Sequence, residues 1–185
     1  MHIAGVLIRG VPRDREVTVS SSTAFCMVCV QILGMKIFDT LQQIQDFVGQ
    51  GEVTSEWLTV TQAQINQFAQ ATGDQQWIHV DPERAKEGPF GTTIAHGFLT
   101  LSLVPAFFAT AFKIQNVRMG VNYGLNKVRF TAPVPVNSRL RARLSLKACE
   151  AIDNNGVQLT WLVNVEREGS EKPVCVAESL TRLYV

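Results

Sequence analysis

The second half of the chain alternates between apolar and polar residues over long stretches. Within residues 139–148 the even positions are apolar and the odd ones are Arg, Ser or Lys, and residues 157–165 repeat the alternation. A period of two predicts β-strands with one buried and one solvated face. Asn154-Asn155-Gly156 separates the two stretches and is typical of a tight hairpin. A short alternation at 127–130 and a stretch from Val174 to Tyr184 complete a predicted antiparallel sheet.

Helical spacing dominates the region before these strands. Thr61-Gln-Ala-Gln64 is a capping-box pattern and predicts a helix that ends at Thr72-Gly73. Asp81-Pro82-Glu83 predicts the start of a short second helix. The run Phe98–Phe112 is apolar on nearly every side, so we expect one long helix that is enclosed by protein and kinked at Pro105.

One buried helix followed by long antiparallel strands predicts an α+β domain. The arrangement that satisfies both is a curved antiparallel sheet wrapped around one long central helix, which is the hot-dog fold. The chain has 185 residues, 46% of them apolar and 18% charged, and shows no internal repeat. That length suits one such domain and excludes a double one.

The N-terminal segment differs from the rest of the chain. Residues 1–34 show no sustained periodicity, and continuous patterning begins near Met35. We therefore expect residues 1–34 to be a disordered or non-native extension and residues 35–185 to be the folded domain. The alternative is a native, flexible arm. The apolar patch at residues 24–33 lies far from the first residue and lacks a small-residue cleavage pattern, so we do not interpret it as a signal peptide.

Charge and cysteine usage narrow the possible partners. The net charge is +1, and neither a basic stripe for nucleic acid nor a basic amphipathic helix for a membrane surface is visible. Cys26 and Cys29 form a C-x-x-C pair without the second ligand pair of a zinc site or the strand–helix context of a redox motif. We expect incidental thiols, no metal site, and a reducing, cytoplasmic location.

The candidate chemistry lies in the glycine-containing stretch between residues 72 and 97. Two of the three histidines, His79 and His96, occur here together with Asp74. A carboxylate and an imidazole that converge can hold one water molecule and move its protons in both directions. Alternatively, Asp74 ends a helix in a turn and His79 is a structural histidine. The spacing alone leaves both interpretations open.

Gly97 precedes the apolar run and is a second candidate. Backbone N–H groups at a helix start have no partner within the helix, and a glycine lets a ligand oxygen approach them closely, which suits a thioester carbonyl. Alternatively, the glycine permits tight helix–sheet packing. For His96 we expect either a place lining the site or a bracing hydrogen bond to the loop backbone.

Three ordered segments carry a family resemblance. Phe68-x-x-x-Thr72-Gly73-Asp74-x-x-x-Ile78-His79 resembles the hydratase motif of MaoC-like (R)-specific enoyl-coenzyme A hydratases. The segments Ile94–Phe98 and Val128–Val134 are similar to that family's other two landmarks. The resemblance covers residues 35–185 and is strongest to the single-hot-dog subgroup with nodulation protein N-like proteins and mycobacterial enoyl-coenzyme A hydratases.

This resemblance implies an activity and catalytic roles. The implied reaction is the reversible hydration of trans-2-enoyl-coenzyme A to (R)-3-hydroxyacyl-coenzyme A. Asp74 and His79 would activate the water, and the N–H of Gly97 would polarise the thioester carbonyl. No cofactor is implied, because coenzyme A belongs to the substrate. The family usually has Asn and Pro where this chain has Gln76 and Trp77; Gln76 keeps an amide on a longer side chain, and Trp77 changes the residue expected at the pocket mouth.

The resemblance also implies substrate-binding residues and a homodimer joined through its sheets. The residues are those of the loop before the central helix, the start of the following strand and the amide after the catalytic Asp: Gln76, Ile94, Ala95, His96, Gly120, Val121, Asn122 and Tyr123.

Two other interpretations stay open. One is a hot-dog dehydratase or thioesterase that acts on acyl carrier protein thioesters, although such thioesterases usually carry a carboxylate on the central helix and Phe98–Phe112 has none. The other is a non-catalytic accessory protein that binds acyl thioesters.

Overall fold

The structure is a computed structural model and describes residues 34–185. The predictions about the N-terminal extension, its apolar patch and the C-x-x-C pair lie outside the described residues. Within residues 34–185, no helix is both long and apolar enough to cross a membrane.

The described chain contains six helices and eight strands. The helices are α1 Leu41–Phe47, α2 Gln62–Thr72, α3 Trp77–Val80, α4 Pro82–Lys86, α5 Gly97–Ser102 and α6 Val104–Ala111. The strands are β1 Lys36–Phe38, β2 Val53–Thr54, β3 Leu58–Thr59, β4 Phe112–Ile114, β5 Met119–Phe130, β6 Arg139–Ile152, β7 Gly156–Arg167 and β8 Cys175–Tyr184.

The main sheet is antiparallel, as predicted, with the strand order β2-β6-β7-β8-β5, and β3 also pairs with β6. The predicted hairpin joins β6 to β7, and Asn154 and Asn155 have φ angles of 61° and 55°. Asn tolerates this left-handed conformation, and two such residues in succession give the turn that matches the twist of a hairpin. A separate parallel pair joins β1 to β4.

The buried face of the sheet forms the core. Leu140, Leu144 and Trp161 are completely buried, while their neighbours in sequence face solvent, as the alternation predicts. Trp161 stacks on Phe112 with ring centroids 4.7 Å apart, and Phe107 of α6 is 1% exposed. The helical segment therefore packs across the inner face of β6, β7 and β8.

The central helix differs from the predicted one. The apolar run forms two helices, α5 and α6, that are separated at Leu103. Pro105 lies in the first turn of α6, where its missing N–H is tolerated, so the helix restarts before the proline instead of bending at it. The expected enclosure on all sides is also wrong for this chain, because the side chain of Phe98 is 68% exposed.

β5 is the other departure from the expected pattern. It ends the main sheet and pairs with β8 alone among residues 34–185. Every residue of β5 except Val128 is exposed, including the apolar Met119, Val121 and Leu125. The prediction of one buried and one solvated face therefore holds for β6–β8 and fails for β5 within a single chain.

Candidate active site

Asp74 and His79 are brought together by the turn that ends α2. The capping box between Thr61 and Gln64 begins α2, and Gly73 ends it in the left-handed conformation with φ of 79°. The chain then reverses, exposes Asp74, and enters α3. His79 lies on the short helix α3, which no sequence pattern predicted. Helical backbone at α3 aims its ring inward, which explains why His79 is only 7% exposed.

The His79 ring has a defined protonation pattern. Its Nδ1 lies 2.7 Å from the carbonyl oxygen of Ile94. Because a carbonyl only accepts, Nδ1 carries the hydrogen and donates it, which leaves Nε2 of the neutral ring as an acceptor. Burial lowers the pKa of His79 below its ordinary value of 6.5, the bond to Ile94 opposes this, His96 lowers the pKa further, and Asp74 raises it. His79 is therefore neutral at physiological pH, with Nε2 able to take a proton.

A second set of hydrogen bonds holds α3 against the segment that carries Ile94. The N–H of Ile94 donates to the carbonyl of Ile78 at 3.0 Å. The side chain of Gln62 donates to the carbonyl of His79 at 2.8 Å and accepts from the hydroxyl of Thr93 at 2.5 Å. Sequence reasoning missed Gln62 because its partners are 17 and 31 residues away and no local pattern points to them.

His96 contacts both candidate catalytic residues. Its Nε2 donates to the backbone oxygen of Asp74 at 3.0 Å. Its ring stacks on that of His79, with centroids 3.8 Å apart and planes inclined by 27°. Phe68 packs against the His96 ring at a centroid distance of 5.0 Å. The structure thus contains the bracing hydrogen bond to the loop that was one of the two alternatives for His96.

Asp74, His79 and His96 could be considered as a metal site, since one ligand atom of each lies within 4.8 Å of the others. The donor set does not suit an ion well. Each imidazole uses one nitrogen for a backbone carbonyl and keeps the other one available. The two rings are stacked, however, so their remaining lone pairs point side by side, whereas a bound ion needs lone pairs that converge on one point. The arrangement suits a water molecule held by hydrogen bonds.

A cavity of about 370 Å³ opens beside His79. Its walls come from the loop and helix on one side and from the end of β5 and the following segment on the other. The lining residues are His79, Phe90, Ile94, Ala95, Gly97, Thr100, Phe130, Thr131, Ala132, Pro133, Val134 and Val174. Most of these side chains are apolar, which suits an acyl chain near a small number of polar groups.

Gly97 lies on the wall of this cavity and also packs tightly. A Cβ atom at Gly97 would lie 2.7 Å from the Phe130 ring, so no larger residue fits without displacing that ring. As the first residue of α5, Gly97 has an N–H with no partner inside the helix. The structure therefore shows the close helix–sheet contact that was one interpretation, and Gly97 lies on the cavity wall, which the other interpretation requires.

The remaining sequence-predicted residues divide into two groups. Ile94 and Ala95 are buried and line the cavity, and Gln76 is exposed at the start of α3, where its carbonyl accepts from the N–H of His79 at 2.9 Å. Gly120–Tyr123 lie at the opposite end of β5 from Phe130. At a rise of about 3.3 Å per residue, Tyr123 is roughly 23 Å from Phe130 along the strand. One chain does not bring these four residues to the cavity.

Comparison with known proteins shows the family to which the chain belongs. The family described as "MaoC like domain" matches residues 43–167, which include α2, α3, β6 and every cavity-lining residue except Val174. The chain belongs to the MaoC-like family. A curated MaoC-like relative, 3-hydroxyacyl-thioester dehydratase Z of Mycobacterium tuberculosis, is 53% identical over 148 residues, covering 80% of this chain and 98% of the relative. Nodulation protein N of Rhizobium leguminosarum is 46% identical over 144 residues, covering 77% and 89% of the two chains.

Solved structures of MaoC-like proteins and hydratases share the fold. A monoamine oxidase regulatory protein from Archaeoglobus superposes with a TM-score of 0.60 at 26% identity, over 73% of this chain and 90% of the other. An R-hydratase from Pseudomonas aeruginosa gives a TM-score of 0.55 at 23% identity, over 72% and 88% of the two chains. The hot-dog α+β fold predicted from the sequence is therefore confirmed for the MaoC-like domain, with its central helix divided into α5 and α6.

Proposed function

We propose that this MaoC-like protein is a hydro-lyase that adds water to trans-2-enoyl-coenzyme A, yields (R)-3-hydroxyacyl-coenzyme A, and catalyses the reverse dehydration. The observation that carries the proposal is the grouping of Asp74 and His79, whose side chains offer polar atoms within 4.8 Å of each other, with His79 on the wall of a mostly apolar cavity. The name of the mycobacterial relative, a 3-hydroxyacyl-thioester dehydratase, supports the same reaction in the dehydration direction.

The proposed reaction uses the free acceptor of His79. Nε2 of the neutral ring takes a proton from a water molecule that the Asp74 carboxylate orients, and the water oxygen bonds to C3 of the enoyl group. The π electrons of the double bond move towards the thioester carbonyl. The proton then passes from the Asp74–His79 pair to C2, so that one water is added and both groups return to their starting protonation states. Delivery from the same side gives syn addition, and the family resemblance implies the (R) product.

Gly97 stabilises the charge that develops in this reaction. As negative charge moves onto the thioester oxygen, a fixed N–H donor that already points at that oxygen stabilises it more than bulk water does. The position of Gly97 on the cavity wall supports this role. The absence of a side chain matters as well, because a Cβ atom at Gly97 would collide with Phe130.

A homodimer is part of the proposal. The exposed edge of β5 and its apolar residues suit pairing with a second copy of the same strand. Antiparallel pairing about the middle of β5 would place Gly120–Tyr123 of each copy opposite residues near the Phe130 end of the other. The substrate-binding role expected for Gly120, Val121, Asn122 and Tyr123 would then act across the interface, at the partner's cavity. The cytoplasmic location stays a prediction.

The decisive experiment is a hydration assay with enoyl thioesters of increasing acyl length, presented on coenzyme A and on acyl carrier protein, with chiral analysis of the product. We expect (R)-3-hydroxyacyl product and faster turnover on coenzyme A. Faster turnover on the carrier protein would replace the coenzyme A substrate with the dehydratase alternative. Hydrolysis of the thioester without hydration would favour a thioesterase, and turnover of neither carrier in either direction would favour an accessory protein.

The structure gives less support to a thioesterase. Neither α5 nor α6 carries a carboxylate, and the cavity-lining residues contain none. Asp74 is the only carboxylate that the structure groups with His79 and His96 among the described residues.

A further inference from the structure

His96 makes two contacts that together connect the catalytic pair. One contact is the hydrogen bond from Nε2 to the backbone oxygen of Asp74, and the other is the stack on the ring of His79. Both contacts come from a residue that is only 3% exposed. A single rigid side chain therefore links the loop that carries Asp74 to the helix that carries His79.

The Asp74 loop has few other restraints. Asp74 is exposed and follows Gly73, whose left-handed conformation ends α2. The backbone N–H of Asp74 lies 3.5 Å from the hydroxyl of Thr72, which is a long contact for a hydrogen bond. The bond from His96 is shorter and comes from a buried donor, so it is the stronger restraint on the position of Asp74.

The unused nitrogen of His96 argues against a purely structural role. Because a carbonyl can only accept, Nε2 carries the hydrogen and Nδ1 of the neutral ring is an acceptor. That Nδ1 atom is buried without a hydrogen-bond partner. An unpaired buried acceptor lowers stability, whereas a ring such as Phe would fill the same space without that cost. The residue therefore retains a donor at Nε2 for a purpose other than packing.

We propose that His96 is a positioning residue, which holds the Asp74 carboxylate beside His79 through its bond to the Asp74 backbone. This inference rests on the hydro-lyase site proposed above and changes the role expected for His96 from substrate contact to alignment of the catalytic pair. The Nε2 donor of His96 fixes the backbone of Asp74, and the stacked His96 ring sets the distance between Asp74 and His79.

Two substitutions separate the donor from the ring. His96→Phe keeps an aromatic ring on His79 and removes the donor, while His96→Gln keeps an amide donor near the Nε2 position and removes the stack. With crotonyl-coenzyme A as substrate, we expect kcat of His96→Phe to fall about 100-fold, the scale of a misplaced catalytic group, with KM nearly unchanged. We expect kcat of His96→Gln to be at least ten-fold higher than kcat of His96→Phe. Phe68→Leu, which alters packing on the other side of the same ring, is the matched control.

A second readout does not depend on turnover. The pKa of His79, followed by NMR, contains a contribution from Asp74 that raises it. Asp74→Asn should therefore lower the pKa of His79. We expect this decrease to persist when Asp74→Asn is combined with His96→Gln or Phe68→Leu, and to shrink by at least half when it is combined with His96→Phe, because the carboxylate is then no longer held in place.

These results distinguish the two proposals. An undiminished response of His79 to Asp74→Asn in the His96→Phe background overturns the positioning role, whether or not the protein turns over any thioester. A loss confined to KM in His96→Phe returns His96 to substrate contact, and equal damage in the Phe and Gln variants overturns the role of the donor. Wild-type protein that hydrates no thioester overturns the proposed function while the NMR response still reports on alignment.

Discussion

The ring of His79 lies face to face with that of His96, with centroids 3.8 Å apart. Burial and the neighbouring His96 both lower the pKa of His79, so the neutral form of the His79 ring is favoured. The same contact excludes water from one face of each ring. His79 is thus prepared as a proton acceptor by its surroundings, before any substrate binds.

Replacement of either member of the proposed catalytic pair, Asp74 or His79, should abolish most activity without unfolding the protein. Asp74→Asn and His79→Asn each remove one group that handles the protons of water, and general acid–base catalysis of this kind contributes about 100- to 10,000-fold. We expect crotonyl-coenzyme A hydration to fall by about that factor in each variant. Asp46→Asn, at an exposed carboxylate on α1, is the matched control and should keep full activity. Near-normal turnover in either variant would remove that residue from the mechanism.

The pH profile of the activity should have its acidic limb below 6.5, the ordinary pKa of histidine. Because burial lowers the pKa of His79 below 6.5, the catalytically competent neutral ring persists as pH falls to that value and below it. We expect the acidic limb of kcat/KM to be centred below pH 6.5. A limb centred above 6.5 would show that another group, or a charged His79, limits the reaction.

His79 also makes the free energy of unfolding depend on pH, and the direction of this dependence can be measured. Between the lowered pKa and 6.5 the unfolded chain binds a proton at His79 that the folded chain does not, so the free energy of unfolding falls as pH drops through this window. We expect that His79→Asn flattens this part of the pH profile. Urea unfolding of both proteins at pH 7.5 and 5.5 tests the difference, and parallel profiles would contradict it.

Gly97→Ala should damage both stability and activity through Phe130. The added methyl group would lie 2.7 Å from the Phe130 ring, and overpacking of this kind costs about 1–3 kcal/mol. We expect a lower urea midpoint and a reduced kcat. Combining the change with Phe130→Ala frees the space, so the double variant should regain stability relative to Gly97→Ala. No recovery would mean that the backbone of α5, and not the ring, resists the methyl group.

Charges on the exposed face of β5 should separate the proposed dimer. Val121 and Leu125 are 39% and 44% exposed in a single chain, and Lys at both positions would place like charges in a strand-pairing interface. We expect sedimentation to show two-chain particles for the wild type and single chains for the double variant. Ile37→Lys, at an apolar residue on β1 that is 51% exposed, is the control and should stay dimeric. A monomeric wild type would overturn the proposed assembly.

The sequence predicted the parts of the fold that depend on local rules. Alternation identified the inner and outer faces of β6 and β7, and the Asn-Asn-Gly turn and the capping box identified a hairpin and the start of α2. Each of these signals depends on a few neighbouring residues, and tertiary contacts did not override it. Asp74 and His79 were found because the ordered motif around them resembles that of a known family, and their five-residue separation spans a single turn of the chain.

The features of the fold and the site that the sequence did not predict depend on contacts between distant segments. The position of β5 beside β8, and not beside β6, leaves no trace in the alternation of either strand. Gln62 and His96 act on residues 17 to 31 positions away, so only the folded chain shows what they hold. The apolar run gave the helical character of α5 and α6 but not its interruption at Leu103, since hydrophobicity contains no information on where a helix ends.

The free edge of β5 also makes the newly synthesised chain prone to aggregation. Until it pairs in the proposed dimer, this edge presents a row of unused N–H and C=O groups beside apolar side chains, which is a template for any extended polypeptide. A chain that folds faster than it meets its own copy is exposed to aggregation during that interval. The yield of soluble protein should therefore depend strongly on expression level and temperature. The stability of the proposed dimer, once it has formed, should depend on them less.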